Sequence, residues 1–324
     1  MGIGNMKIVY LERNSIGLDI SVDCFRQFGD VTEYPYAADA AGTAERIADA
    51  DIVLVNKAPM NAETLGGAAH VKLICEMATG YDNIDIDYCR SRGIAVANAR
   101  NYSTTAVAQH TFALALTLLG NIPFYDGYVR SGRYAAQKNF TIFTAPVNEL
   151  DGKTWGIVGM GNIGRRVAKI AEAFGCRVIF YSASGKSRCT EYPRVEFDEL
   201  LSLSDVISLH CPLSSRTRHL FDAAAFSGMK KTAVLINVAR GGIVDQQALH
   251  DALLDGRIAG AGLDVLEAEP IRTDNPLYEL RDRAFLLITP HMAWASVEAR
   301  QRDVDISCEN IRAFLNGTEL NRIV

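Results

Sequence analysis

Trp155-Gly-Ile-Val-Gly-Met-Gly-Asn-Ile-Gly-Arg-Arg-Val-Ala168 is the stretch that decides the fold. It sets Gly159, Gly161 and Gly164 in a G-x-G-x-x-G turn between an apolar run and an amphipathic one. In such a turn one glycine bends strand into helix, one lets backbone approach a pyrophosphate, and one lets helix lie close on strand. The helix expected to begin near Asn162 then aims its unpaired N–H groups and positive dipole end at the phosphates. Three glycines alone are weak evidence, and their setting strengthens them. Gly175 and Cys176-Arg-Val-Ile-Phe-Tyr181 complete a strand–turn–helix–strand unit, the context a dinucleotide site requires.

Working outward, short strand-like runs alternate with helical patterns along the whole chain. Lys7–Leu11, Asp51–Val55, Lys72–Cys75 and Ile94–Ala97 are strand candidates before the fingerprint, with a helical stretch around Ser21–Phe28. From about Ser103 to Leu119 runs a helix that is apolar nearly all round, the mark of a buried one. After a Gly/Pro/Tyr-containing stretch (121–150), six further candidates follow: Trp155–Val158, Val178–Tyr181, Asp205–Leu209, Ala233–Asn237, Ile258–Val265 and Phe285–Thr289. Alternation of this kind means βαβ units and parallel sheets, and six strands make a full Rossmann sheet. The helical pattern Ser296–Leu315 is then left over and is assigned to the first domain. The expectation is an α/β chain of two doubly wound parallel-sheet domains. Residues 1–100 with 292–324 form a flavodoxin-like substrate-binding domain, and residues 101–291 a Rossmann dinucleotide-binding domain.

Composition excludes several classes. A length of 324 residues suits two domains, and 48% hydrophobic against 22% charged residues supplies a sizeable core and argues against disorder. A net charge of −5 without any Lys/Arg stripe argues against nucleic acid as a partner. The seven cysteines are scattered and form no C-x-x-C pair. That reads as reduced thiols in a cytosol, not as a disulfide framework or a zinc site, so no metal is expected. The N-terminus lacks a basic segment followed by an apolar one, and Met6 stands where a myristoylation pattern wants Ser or Thr. The longest apolar stretch, Phe112 to Gly120, is too short to span a bilayer. The chain reads as cytoplasmic, with no membrane partner.

Three polar residues follow second-series strands, at the ends where open α/β sheets place their ligands. Arg240 follows Leu235–Ala239, Glu269 follows Gly262–Leu266, and His291 follows Leu286–Pro290. An arginine fork suits a carboxylate bidentately, and a histidine exchanges a proton near neutral pH. A neighbouring glutamate favours the imidazolium, which suits a proton donor to a carbonyl. Taken singly, each also has an ordinary structural reading: a surface arginine, a solvated loop carboxylate, a capped core histidine. Their shared place beside a dinucleotide fingerprint favours hydride transfer between a nicotinamide and a 2-oxo or 2-hydroxy acid.

At this point the chain resembles the D-isomer-specific 2-hydroxyacid dehydrogenases, over nearly its whole length. The segments that carry the resemblance are Ala78-Thr-Gly-Tyr-Asp-Asn-Ile-Asp85, Tyr102–Ala108, Gly156–Gly164, His210-Cys-Pro-Leu213 with Thr217, Ile236–Asp245, Gly262–Val265 with Glu269-Pro270, and Thr289-Pro-His291. The resemblance implies that Arg240 orients the substrate carboxylate and carbonyl, His291 is the acid/base and Glu269 its partner. It implies that the Thr79-Gly80 backbone cradles the carboxylate from the first domain. It also implies that Asn162, Ile163, Cys211, Pro212, Thr217, Val238, Ala239 and Asp264 line the cofactor, Asp264 near the nicotinamide amide, and that the assembly is a homodimer. The Thr79–Asn83 loop and His291-Met-Ala-Trp-Ala-Ser296 look most like the glycerate dehydrogenase/hydroxypyruvate reductase branch. Trp294 reads equally as bulk near the catalytic histidine and as a core or interface residue. Cys211 reads as a small packing residue.

One departure stands out. NAD-preferring members carry an acid at the end of the second Rossmann strand, where this chain has Tyr181-Ser-Ala-Ser-Gly-Lys-Ser-Arg188. With Ser182 in that place, nothing repels a 2′-phosphate, and Ser184, Lys186 and Arg188 can bind one, so charge favours NADP over NAD. The substrate stays open among glyoxylate, hydroxypyruvate, pyruvate and bulkier keto acids, a D-lactate type included. Glu269 disfavours a formate dehydrogenase, whose pattern has Gln in that role, and the chain leaves no room for the regulatory domain of a phosphoglycerate dehydrogenase. A nucleotide-sensing corepressor on the same fold keeps the same three residues, but extended disordered tails are absent.

Overall fold

The computed structural model describes residues 6–324. The reading of the extreme N-terminus as free of a targeting signal falls on residues 1–5, outside the described residues. The chain divides into two compact units: everything up to Ser103 together with Ala295–Val324, and Thr104–Trp294.

The first unit holds a five-stranded sheet of β1 (Met6–Tyr10), β2 (Gly29–Glu33), β3 (Ile52–Val55), β4 (Leu73–Glu76) and β5 (Ala95–Asn98). Every pairing is parallel, in the order β2-β1-β3-β4-β5, the flavodoxin-like arrangement. β3, β4 and β5 are buried along their whole length, which is why they read as short apolar runs. β2 was not among the expected strands. It is a half-exposed edge strand with no apolar run, Gly-Asp-Val-Thr-Glu, held by its register against β1. The stretch expected to be helical around Ser21–Phe28 is a 3₁₀ helix, Asp23–Phe28. The helix Val297–Leu315 belongs to this unit: Ser296 caps it through Ala299 N, and Asn310 Nδ2 donates to Asn98 O at 3.1 Å. Val324 closes the unit, accepting from Val96 N at 2.9 Å.

The cysteine expectation needs correcting here. Cys24, in the 3₁₀ helix, and Cys308, in the Val297–Leu315 helix, form a disulfide across 284 residues. Spacing along the sequence cannot reveal a pair that only the fold brings together. The other five cysteines are free, and four of them are buried.

The second unit holds β6 (Thr154–Val158), β7 (Arg177–Tyr181), β8 (Val206–Leu209), β9 (Val234–Asn237), β10 (Gly260–Leu263) and β11 (Leu286–Ile288). All are parallel, in the order β11-β10-β9-β8-β6-β7. These are the six expected strands. A lone parallel bridge from Phe180 to Arg194 stands outside β7, where a Rossmann sheet has its third strand. Trp155, wholly buried, packs on Phe112 of the helix Thr104–Leu119 at a centroid distance of 4.5 Å. That helix buries most of its length in the core of this unit and leaves one face, Thr105, Gln109, Ala113 and Leu116, exposed. Among the described residues no helix is long and apolar enough to cross a membrane.

Candidate active site

The fingerprint turn joins β6 to the helix Asn162–Ala173. Two of its glycines are required by the protein's own packing. Gly159 has φ +97°, and a Cβ there would lie 2.8 Å from His210 and Cys211 backbone. A Cβ on Gly164 would lie 2.2 Å from Gly159 O, so that position brings helix onto strand. Gly161 differs: a Cβ there would meet nothing within 4 Å, and its φ of −81° is open to any residue. The protein leaves space at Gly161, as close approach by a pyrophosphate demands, and no side chain caps the helix there. The turn therefore fits a dinucleotide.

A cavity of about 350 Å³ opens beside it, lined by Gly159, Gly161, Ser182, Ser184, Lys186, Arg188, Cys211, Pro212 and Thr217 from the sequence reading. Asn162, Ile163, Gly164, Val238, Ala239, Arg240 and Asp264 do not line it. His210 and Arg216 do line it and were missed. Arg216 sits next to Thr217 in the segment already singled out, and that adjacency was the available signal. Lys186, Arg188 and Arg216 are exposed, and none has a side-chain partner among the described residues. No carboxylate lines the cavity. Ser182 is buried. Thr217 Oγ1 is spent on its own turn, donating to Pro212 O at 2.8 Å and accepting from Ser214 N at 2.8 Å. Burial pushes the Cys211 thiol up to about 11, which keeps it unreactive. Burial pushes His210 down to about 3, so it is a neutral ring bonded to Ser208 Oγ at 2.9 Å.

Arg240, Glu269 and His291 follow three adjacent strands, β9, β10 and β11. Asn237, wholly buried, shapes the Arg240 turn: its Oδ1 accepts from Ala239 N at 3.0 Å and its Nδ2 donates to Arg240 O at 2.9 Å. A Cβ on Gly241 would lie 1.9 Å from the Leu266 carbonyl carbon. Glycine there lets the Arg240 turn rest on the backbone leading to Glu269. Glu269 Oε1 accepts from Leu266 N at 2.9 Å, and Oε2 meets His291 Nδ1 at 2.6 Å. A carboxylate on Nδ1 fixes the ring and leaves Nε2 for chemistry.

His291 is held in a left-handed backbone conformation, φ +52°, unusual for a side-chain-bearing residue. Asp264 enforces it. Asp264 O accepts from His291 N at 2.9 Å. Its buried carboxylate accepts from Thr289 Oγ1 at 2.6 Å, Met292 N at 2.9 Å and Ala293 N at 2.8 Å. His110 Nε2 backs Thr289 Oγ1 at 2.9 Å. Trp294 Nε1 donates to His291 O at 2.9 Å. Asp264, expected near a nicotinamide amide, thus already has three protein donors.

A carboxylate–imidazole pair beside an arginine and a dinucleotide turn is the equipment of a 2-oxo acid reductase. The D-isomer specific 2-hydroxyacid dehydrogenase NAD binding domain matches residues 112–293. The chain belongs to that family. The hydroxypyruvate reductase of Blautia hydrogenotrophica is 37% identical over 322 residues, 98% of this chain and 99% of the relative. The glycerate dehydrogenase of Methylorubrum extorquens is 39% identical, covering 97% of this chain and 98% of the relative. Among solved structures, an acyclic imino acid reductase in complex with NADPH and D-Arg aligns with TM-score 0.87 and 32% identity, over 98% of this chain and all of that one. This 2-hydroxyacid dehydrogenase carries the family's NAD(P)-binding unit and acts on 2-hydroxy and 2-oxo acids.

The loop with Thr79 and Gly80 lies in the first unit, just past β4. Asn98 Nδ2 donates to Thr79 O at 2.7 Å, and Thr79 Oγ1 to Ala99 O at 3.1 Å.

Proposed function

We propose that this dehydrogenase reduces a small 2-oxo acid, hydroxypyruvate or glyoxylate, to the D-2-hydroxy acid with NADPH. The observation that carries the reading is the 2.6 Å bond between Glu269 Oε2 and His291 Nδ1, on a histidine whose backbone is pinned. A bound nicotinamide supplies the hydride to C2 of the oxo acid. The Arg240 fork takes the substrate carboxylate and carbonyl, two points that set which face of C2 is presented. His291 gives its Nε2 proton to the carbonyl oxygen as charge develops there, and Glu269 stabilises the ring that carries the proton. In the oxidative direction the same nitrogen accepts the hydroxyl proton.

In this reading the unit Thr104–Trp294 holds the dinucleotide, with Asn162, Ile163, Val238, Ala239 and Asp264 around it. The other unit receives the carboxylate on the Thr79-Gly80 backbone. NADPH is favoured by Lys186, Arg188 and Arg216, three unpaired cations on a cavity without a carboxylate, where a 2′-phosphate gains charge-assisted bonds. A homodimer is supported by the large apolar side chains left exposed between Leu116 and Val147, with Phe140 and Phe143 about nine-tenths exposed. The five free cysteines favour a cytoplasmic setting, Cys24–Cys308 being the exception.

Steady-state reduction of hydroxypyruvate, glyoxylate, pyruvate and a branched keto acid, with NADPH and with NADH, tests the reading. Replacing Lys186, Arg188 and Arg216 together by alanine should raise KM for NADPH at least about tenfold and leave that for NADH within about twofold. Equal losses for both cofactors would remove the 2′-phosphate assignment.

A further inference from the structure

We propose that Glu76 is a positioning residue for the oxo acid, acting through Asn83 on the loop whose Thr79-Gly80 backbone receives the carboxylate. The inference rests on the reading of Thr79-Gly80 given above.

Glu76 ends β4, and the chain runs from it straight into the loop. Leu73, Ile74 and Cys75 before it are apolar and buried, and Glu76 is buried as completely as they are. Packing alone would ask for a hydrocarbon at this place, because burying a polar group is costly unless it is bonded. Its side chain bonds into the loop: Oε2 accepts from Asn83 Nδ2 at 3.0 Å. Oε1 is buried with no hydrogen-bond partner among the described residues. The carboxyl therefore sits in the core for the sake of Asn83.

Asn83 is the far anchor of the loop. Its Nδ2 also donates to Ala58 O at 3.1 Å, and its carbonyl accepts from Met60 N at 2.8 Å. The 56–58 turn that receives it is itself clamped. Glu12 Oε2 accepts from Asn56 N at 2.9 Å, Lys57 N at 2.8 Å and Ala58 N at 3.1 Å. Thr79 is the near anchor, tied to Asn98 and Ala99. Gly80 is thus strung between two fixed points, and Glu76 holds the far one together with Ala58 O and Met60 N.

Protonation state matters to a group so placed. Burial pushes Glu76 up to about 9; the Asn83 bond and Lys57 oppose this, and the negative charges of Glu12 and Asp303 add to it. At neutral pH the side chain is an uncharged acid that does not repel an incoming carboxylate. Above about pH 9 it ionises in a site with a single donor, and the carboxylate loop is disturbed.

The test is a pH series of kcat and KM for hydroxypyruvate at saturating NADPH, with the Kd for NADPH measured separately. Glu76→Ala and Asn83→Ala should each raise KM about tenfold at pH 7, the order expected for one lost anchoring bond. Each should keep kcat within about threefold and leave the NADPH Kd unchanged. Glu76→Gln keeps the size and an amide oxygen for Asn83, so it should restore KM to within about twofold of wild type. Wild-type KM should climb above pH 9, and that of Glu76→Gln should stay flat. An unchanged KM in both alanine variants, or an alkaline rise that survives in Glu76→Gln, overturns the inference alone. A wild-type enzyme that reduces no 2-oxo acid overturns the functional reading and this inference with it. Should Glu76→Ala fail to fold, Asn83→Ala and the Gln pH profile decide between the same outcomes.

Discussion

Asp264 and Glu76 occupy corresponding places in the two sheets and are treated in opposite ways. Each is buried at the C-terminal end of a strand one in from the sheet edge, β10 and β4. Asp264 is given Thr289 Oγ1 and two backbone N–H groups, and so pins the turn that carries His291. Glu76 is given only Asn83, and burial then holds its proton on. Burial alone does not decide what a carboxyl does, whereas the number of donors aimed at it does. A saturated carboxylate serves as a rigid pin, and a starved one as a neutral acid whose behaviour changes with pH.

The comparison can be broken at several points. The largest effect belongs to the residue that Asp264 holds in place. His291→Ala should lower turnover by about 10²–10⁴-fold, the usual worth of a general acid, with cofactor binding retained by fluorescence titration. Turnover close to wild type would leave the pinned turn without a catalytic purpose. Next comes the pin. Asp264→Asn exchanges an acceptor for a donor facing other donors, so the His291 turn should loosen and turnover fall by about 10²-fold, as misplacements of about an ångström do. If the variant matched wild type, the three bonds would be structural ornament.

The smallest effect is on stability. Unfolded, Glu76 titrates near 4.5, and folded it titrates near 9. Between those values the folded state holds a proton that the unfolded state has lost, so this group's contribution to stability falls as pH rises through the window. Glu76→Gln removes that slope. The variant should gain on wild type as the pH is raised from about 5 to about 8.5, because wild type alone loses stability across that window. Urea midpoints at the two pH values check it, and parallel changes in both proteins would mean that Glu76 is not held neutral.

What the sequence made legible was whatever repeats or punctuates locally. The Gly159/Gly161/Gly164 spacing declared the turn because each glycine answers to a local steric demand, and the apolar runs of β3, β4 and β5 declared strands buried on both faces. The placement of Arg240, Glu269 and His291 just past β9, β10 and β11 was readable because strand ends are readable. β2 was not, since an exposed edge strand needs no apolar run and owes its existence to β1. The grip of Asp264 was hidden for a different reason: its partners lie 25 to 29 residues away, and two of them are backbone amides. Sequence carries no mark for a backbone donor. The left-handed φ at His291 and the Cys24–Cys308 pairing are likewise products of the fold, without a local pattern to announce them.

The interrupted first unit has a consequence for how the chain comes into being. The segment Thr104–Trp294 is continuous and emerges from the ribosome whole, so its core can close while synthesis is still under way. The first hundred residues emerge earlier and yet must wait. Their sheet lacks the helix Val297–Leu315 and the Val324 contact on β5 until those residues have been made. For the time it takes to make some two hundred residues, at roughly 5–20 per second, the older part of the first unit stays unfinished. A chaperone would find its clients there, and a ribosome stalled before Ala295 would release one completed unit joined to one that cannot finish.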